Sequence, residues 1–492
     1  MKPNILLIMT DQLRADYLGC YGADWLETPN LDRLAAGGTR FTRCTVNNPI
    51  CTPSRASIMT GQDLPGHGVY RLHDVLPDGE TLFPERLRRD SGYRTALYGK
   101  LHVSGRAEEE ERRHPQDGFE AYEWCIESCV SMESRFNGYV SWLKDRDPEF
   151  LADLKTRQRK VLHHPEEVHF TRWATERTCD YIRERSDSDD PFFCMMSIFD
   201  PHNPYEDYPL SMEARVDREK LPVPVVREGD LPAAAEFERQ GNYLGSGIGA
   251  ADIEKMRFGY SASIAFADQE IGKVLDTLEA CGVAENTLVI FASDHGDALG
   301  DHGMMVKGVA LYDPVIRVPL ILRWPGHVPA DEVCDAPVQA HDIAQSCLAA
   351  AGLGDALREP WETSQDLVAL VQGRAEPREV TVCAYRNSGI NRANTYWDPE
   401  MNATAVVGRT HKLIAYTTGA AAEFELFDLV ADPRETQNCI DDPKHAEILG
   451  FLMKELACWL QREAGGAGSR GGSRIPGADS FMDNSLKGAA AP

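Results

Sequence analysis

The chain predicts an α/β fold: a large central sheet, mixed and mostly parallel, flanked by helices and followed by a smaller C-terminal α+β domain. Three observations predict it. Apolar runs of strand length alternate with helix-like segments through most of the sequence. With 492 residues and 42% hydrophobic composition, the chain can bury a large core and more than one domain. The polar, chemically useful residues fall just after the ends of the apolar runs, where open α/β sheets place their ligand crevice.

Residues 4–9 read as a buried strand ending at Thr10-Asp11-Gln12. Thr28-Pro29-Asn30 opens a short helix carrying Leu31, Leu34 and Ala35. Residues 94–98 form a second strand, ending at Gly99-Lys100-Leu101-His102, and residues 192–198 a third, ending at Asp200-Pro201-His202. Ile264, Ala267, Ile271, Leu275 and Leu278 mark the core face of a long helix that stops near Gly282. Residues 287–292 make a fourth strand, ending at Ser293-Asp294-His295-Gly296, and residues 318–323 a fifth. Five segments are thus expected to point toward one place.

A charged stretch, residues 374–379, marks a boundary at 375. Beyond it, residues 379–385, 403–407 and 411–416 are strand candidates and 444–463 a helix, giving domains 1–375 and 376–464. Residues 465–492, rich in Gly, Ser and Ala, read as a tail, or as an arm that lies on a second copy in a homo-oligomer.

Net charge is −26, from 51 basic and 77 acidic residues, which argues against nucleic acid or an anionic membrane as a partner. An anionic substrate must then be drawn in by local positive charge. Thirteen cysteines in irregular spacing do not form a disulfide framework, and Cys125 and Cys129 lack the partner pair that zinc needs. The N-terminal apolar run is too short for a signal peptide and no run spans a bilayer, so a soluble, cytoplasmic protein is expected.

The most informative stretch is Cys51-Thr52-Pro53-Ser54-Arg55, followed by Thr60-Gly61. Pro53 suits a first helical turn, Thr52 the cap before it and Gly61 the stop, which puts Cys51 just outside a helix N-terminus that favours negative charge. Arg55, about one turn in, can reach the same spot. A cysteine phosphatase loop needs Cys-x5-Arg, and position 57 is Ser57. Asp11 and Gln12 after the first strand, with Asp294 and His295 after the fourth, supply two carboxylates, an amide oxygen and an imidazole for a divalent cation of hard or borderline character. Lys100 and His102, in an extended segment, project to one side and can address one anion. The bland alternatives are a buried cysteine beside a capped helix, a solvated basic turn and ordinary loop carboxylates.

Cys51-x-Pro53-x-Arg55 with Thr60-Gly61 resembles the signature of the type I sulfatases, members of the alkaline phosphatase superfamily. Gly99-Lys100-Leu101-His102, Pro201-His202-Asn203-Pro204-Tyr205 and the Ser293-to-Lys307 run are similar to further elements of that family, in its order. So is Glu425-Leu426-Phe427-Asp428-Leu429 with Asp432, Pro433 and Asn438, expected to pack the small domain. The resemblance implies an alkaline phosphatase-like fold and hydrolysis of sulfate monoesters through a formylglycine that a maturation enzyme makes from Cys51. It implies catalytic roles for Cys51, Arg55, Lys100, His102, His202 and Lys307, with His302 positional. Asp11, Gln12, Cys51, Asp294 and His295 would hold one cation, Ca²⁺ or, given the imidazole, Mn²⁺. In the implied mechanism the hydrated aldehyde attacks sulfur, His202, helped by Lys307, sees the leaving oxygen protonated, and His102 takes the proton that lets sulfate depart. Asp11-Gln12 and Asp294-His295 are equally similar to phosphonate monoester hydrolases of the superfamily, but Lys100 and His102 favour sulfate. A non-catalytic metal and oxyanion binder with an unmodified Cys51 thiol is the reading from another class.

Overall fold

The computed structural model describes residues 2–157, 162–241, 248–354, 363–389 and 396–469. Its strands, in chain order, are β1 (Asn4–Thr10), β2 (Thr39–Phe41), β3 (Cys44–Thr45), β4 (Arg94–Gly99), β5 (Ala121–Trp124), β6 (Phe192–Ser197) and β7 (Thr287–Ser293). They continue with β8 (Leu320–Arg323), β9 (Glu332–Cys334), β10 (Val338–Gln339), β11 (Val380–Arg386), β12 (Met401–Gly408), β13 (His411–Thr418) and β14 (Ala421–Asp428). Eight of them form one sheet in the order β5-β4-β6-β1-β7-β8-β2-β9. Every pair from β5 to β7 is parallel, and β8 runs antiparallel to both its neighbours, so the sheet is mixed and mostly parallel, as expected.

The sheet is buried on both faces, which is why its central strands read as unbroken apolar runs. In β1, Ile5, Leu7 and Met9 join one core and Leu6 and Ile8 the other, the period of two that a pleated strand imposes. The first core takes Ile58 and Met59 of the helix Cys51–Thr60 together with Leu87, Ile343 and Cys347 from two further helices. The second is covered by the helices Phe170–Ser186 and Ala250–Ala280, and the latter buries Ile264, Ala267, Ile271, Leu275 and Leu278, the five residues expected to face the core.

All five expected strands are found in this sheet. Short β2, β5 and β9 escape the sequence reading because three or four residues carry too little periodicity. One expectation is corrected. Because β8 is antiparallel, its carboxyl end lies at the edge opposite the ends of β1, β4, β6 and β7, so four strand ends converge, not five. The fifth contribution comes from the loop before β8, which carries Lys307.

β11 to β14 form an antiparallel meander. One face, with Val382, Ala384, Val406, Leu413 and Leu426, packs on Leu452, Leu456 and Trp459 of the helix Ala446–Ser469. The other face, with Cys383, Tyr385, Ala405, Ile414 and Phe427, is continuous with the first core of the large sheet. The fourth strand, β14, is an addition to the three expected: Glu425-Leu426-Phe427-Asp428, expected to pack the small domain, does so as the end of this strand. The last helix runs past 465 to Ser469, and the remainder of the expected tail lies outside the described residues. Among the described residues no helix is long and apolar enough to cross a membrane, and all thirteen cysteines are free.

Candidate active site

Cys51 is the first residue of its helix and Ile50, with extended backbone, is the cap. This corrects the expectation that Thr52 caps: its hydroxyl donates to the Leu72 carbonyl at 2.8 Å. Pro53 is still accommodated, because N–H groups in a first turn have no intrahelical acceptor. The helix is buried from end to end and Gly61 (φ 71°) closes it in the left-handed region. A wholly buried first turn leaves the thiol facing protein groups alone.

Those groups come from the converging strand ends. The Cys51 sulfur lies 3.1 Å from His295 Nε2, 2.9 Å from Lys307 Nζ and 3.9 Å from Asp11 Oδ1. Arg55 is fully buried and ties the strand ends together: its Nε meets Asp294 Oδ2 at 2.6 Å, its Nη2 lies 3.4 Å from Asp11 Oδ2, and its Nη1 donates to the Lys100 carbonyl and Ser197 Oγ at 2.9 Å each. Lys100 Nζ pairs with Asp11 Oδ2 at 2.5 Å. Burial works against the charge of Asp11, but Lys100, His202, Arg55 and Lys307 outweigh it and hold the carboxyl well below its usual range. For Cys51, burial and Asp11 push the thiol up, Lys100 and Lys307 pull it down, and the net shift is downward.

Protonation states follow from the hydrogen bonds. His295 Nδ1 faces the Gly296 carbonyl at 2.9 Å, so it carries the proton and Nε2 is the acceptor nitrogen. Burial pushes this imidazole down to about 4, which keeps it neutral at pH 7. The lone pair lies 3.7 Å from Asp11 Oδ1 and 3.6 Å from Asp294 Oδ1. Ligand atoms of Asp11, Cys51, Asp294 and His295 thus all lie within 4.8 Å of one another, beside the Lys307 ammonium. That donor set fits a divalent cation of hard or borderline character.

Gln12, the fifth expected ligand, accepts from Lys307 Nζ at 2.9 Å through Oε1 while its Nε2 donates to Asp297 Oδ2 at 2.5 Å, so its oxygen is turned toward the same lysine that touches the thiol. Lys307 Nζ also lies 3.1 Å from His202 Nε2 and 2.9 Å from His295 Nε2. His202 directs Nδ1 at the Asn203 carbonyl (2.7 Å) and stacks on Phe199; burial, then Lys307, lowers its pKa.

The segment after β4 is not extended, contrary to expectation. Gly99 (φ 120°) and His102 (φ 58°) both have positive φ, and a Cβ on Gly99 would fall 1.8 Å from the Ser197 carbonyl oxygen, so only glycine lets β4 end against β6 here. Lys100 and His102 nevertheless reach the same helix N-terminus, because the chain turns between them. His102 Nε2 lies 3.2 Å from Thr52 Oγ1. That hydroxyl already spends its proton on Leu72, so it accepts from Nε2–H and leaves Nδ1 as the unprotonated nitrogen. Burial and then Lys100 hold this imidazole well below its ordinary pKa. His302 stacks on Tyr312 and none of its described contacts reaches the thiol.

The structure adds Asp297 and Ser197 to the residues expected from the sequence. Asp297 anchors the Gln12 amide and the Tyr205 hydroxyl, and Ser197, the last residue of β6, holds Arg55. Their positions, two residues beyond His295 and at a strand's carboxyl end, were the available signals.

The fold and site define an α/β protein whose doubly covered, mostly parallel sheet gathers a helix N-terminal cysteine, two carboxylates and an imidazole at its strand ends. The sulfatase family model matches residues 3–353, and the chain belongs to the sulfatase family, enzymes that hydrolyse sulfuric esters. Residues 300–462 match the C-terminal region of N-sulphoglucosamine sulphohydrolase. An arylsulfatase of Clostridium perfringens is 29% identical, covering 94% of this chain and 96% of its own. A choline-sulfatase of Rhizobium meliloti is also 29% identical, covering 93% and 87%. Among solved structures, a phosphonate monoester hydrolase from Silicibacter pomeroyi superposes with a TM-score of 0.77 at 23% identity, covering 94% of this chain and 96% of that one.

Proposed function

We propose that this enzyme hydrolyses sulfate monoesters through a formylglycine derived from Cys51, with one divalent cation, Ca²⁺ or Mn²⁺, held by Asp11, Gln12, Asp294, His295 and the Cys51 side chain. The observation that carries the reading is the gathering of two carboxylates and a neutral imidazole around the Cys51 sulfur, with one ligand atom from each of the four side chains all within 4.8 Å of one another. When present, the cation and the aldehyde hydrate supply positive charge at the sulfuryl oxygens and a hydroxyl that ionises near neutral pH.

The chain's own side chains do the rest. Lys100 and Lys307 bracket the nucleophile and neutralise sulfuryl oxygens, and Arg55 orients Asp11 and Asp294 while adding a third positive charge. His202, with Nε2 on Lys307 Nζ, relays a proton from that ammonium to the leaving oxygen. His102 offers a bare Nδ1 as the base that frees sulfate. Each such group is worth roughly 10²–10⁴-fold.

The second reading, phosphonate monoester hydrolysis, has Gln12 and His295 in its favour and Lys100 with His102 against it. Turnover of an aryl sulfate beside a phenyl phosphonate ester tests the choice; a higher kcat/KM for the phosphonate sinks the sulfate reading. Intact mass of the peptide containing Cys51 distinguishes an aldehyde from an alkylatable thiol, and the thiol in an active preparation refutes the formylglycine. The alcohol part is read as aryl, choline-like or carbohydrate, to be resolved by a panel of esters. A reducing, cytoplasmic setting is supported by thirteen free cysteines; maturation by a formylglycine-generating enzyme and homo-oligomerisation complete the proposal.

A further inference from the structure

The helix Arg106–Glu111 carries a carboxylate that the mechanism does not use. Glu109 is 3% exposed, yet its two oxygens receive four N–H groups. His102 N and Trp124 Nε1 donate to Oε2 at 2.9 and 2.8 Å, and Val103 N and Ser104 N donate to Oε1 at 2.8 and 3.3 Å. Three consecutive backbone amides on one carboxylate form an anion-binding concavity whose anion is the protein's own. It closes on His102, whose φ of 58° is unusual for a residue with a side chain. A backbone in that region persists only where its surroundings over-determine it, and such residues cluster at functional sites. Trp124 ends β5, the neighbour of β4, so the indole pins the carboxylate to the sheet while the carboxylate pins the loop.

We propose that Glu109 is a positioning residue for His102: by gripping the amides of His102, Val103 and Ser104 it fixes the left-handed turn that puts Nε2 on Thr52 and leaves Nδ1 free as a base. The clamp rests on the sulfatase reading for its catalytic consequence, but not for its geometry. Nothing else on the loop side chain itself sets the ring, since Nδ1 has no partner among the described residues and Nε2 has Thr52 alone. With the carboxylate gone, three buried amides lose their acceptor and the turn relaxes toward an ordinary backbone, carrying the imidazole off Thr52. Lys100, held by Asp11 upstream of the turn, keeps its place.

The test is a double-mutant cycle on the matured enzyme with a sulfate ester, joined to amide exchange of the peptide spanning residues 101–105. Glu109→Ala is expected to lower kcat roughly 10- to 100-fold with KM within about twofold, and to accelerate exchange at 102–104. In the His102→Ala background the same change costs less than about twofold, because the group it positions is absent. Glu109→Gln, which keeps one carbonyl oxygen as an acceptor, falls between wild type and Ala, and it carries the test if Ala does not fold. Equal losses in both backgrounds, or unchanged protection at 102–104, overturn the clamp. A wild type that turns over no sulfate ester refutes the functional reading instead, and amide exchange then decides the clamp alone.

Discussion

Two buried clusters of charge in this molecule look alike by composition and differ in what they can do. Where the small sheet meets the large domain, Lys412 Nζ lies 2.5 Å from Asp313 Oδ1, 2.6 Å from Glu435 Oε1 and 3.4 Å from the Leu311 carbonyl. Lys412 is thus fully occupied by acceptors of the protein itself. Around Cys51, Lys100, Lys307 and Arg55 meet Asp11 and Asp294, but a sulfur and an imidazole acceptor nitrogen stand among them. Burial and charge alone therefore do not mark chemistry. A nucleophilic, polarisable atom set among carboxylates, ammonium groups and an imidazole acceptor does.

Substitution should separate the two clusters cleanly. Cys51→Ala removes the nucleophile and is expected to lower kcat by at least about 10⁴-fold while leaving thermal unfolding close to wild type. Retained turnover of a sulfate ester would equate the two clusters after all. Lys412→Met does the reverse. Stranding Asp313 and Glu435 in a buried setting should cost about 3–5 kcal/mol in chemical denaturation, with kcat of the folded fraction unchanged.

Acid provides a third contrast, at His302, which lies apart from the thiol. Burial pushes its pKa down to about 4 in the folded state. The unfolded chain therefore binds the proton first, near pH 6.5, so stability is full above that value and falls as pH drops toward 4, by up to about 3 kcal/mol. Denaturation midpoints at pH 7 and pH 4.5 measure the slope, and His302→Phe should flatten it; an unaltered slope excludes this group as its source. Chelation gives the smallest effect. Stripping a cation present at 100 times its Kd should remove about 2.7 kcal/mol of stability, restored by Ca²⁺ or Mn²⁺, and Asp294→Asn should abolish that response.

Much of the site is legible along the chain because each part follows a strand end in a recognisable short motif: Asp11-Gln12 after β1, Lys100-Leu101-His102 after β4, Asp294-His295 after β7. Lys307 was legible only from its place in the Ser293-to-Lys307 run, since it precedes a strand that runs the other way. Asp297 and Glu109 were missed for a common reason. Each acts by accepting hydrogen bonds from groups that are remote in sequence or on the backbone, and neither kind of partner leaves a trace in local composition. The edge strands β2 and β9 were missed because their pairing is set by neighbours rather than by their own three residues.

Local pattern was sufficient for the order of strands and helices, the apolar faces that force them into a doubly covered sheet, and the charged side chains that gather around Cys51. These depend on spacing and side-chain type, which the chain carries explicitly. The reversal of β8, the start of the helix at Cys51, the turned backbone at His102 and the tautomer of His102 depend on which distant groups meet. A hydroxyl already committed to Leu72 and a carboxylate from Glu109 settle the state of His102, and only folding brings those atoms within hydrogen-bond reach.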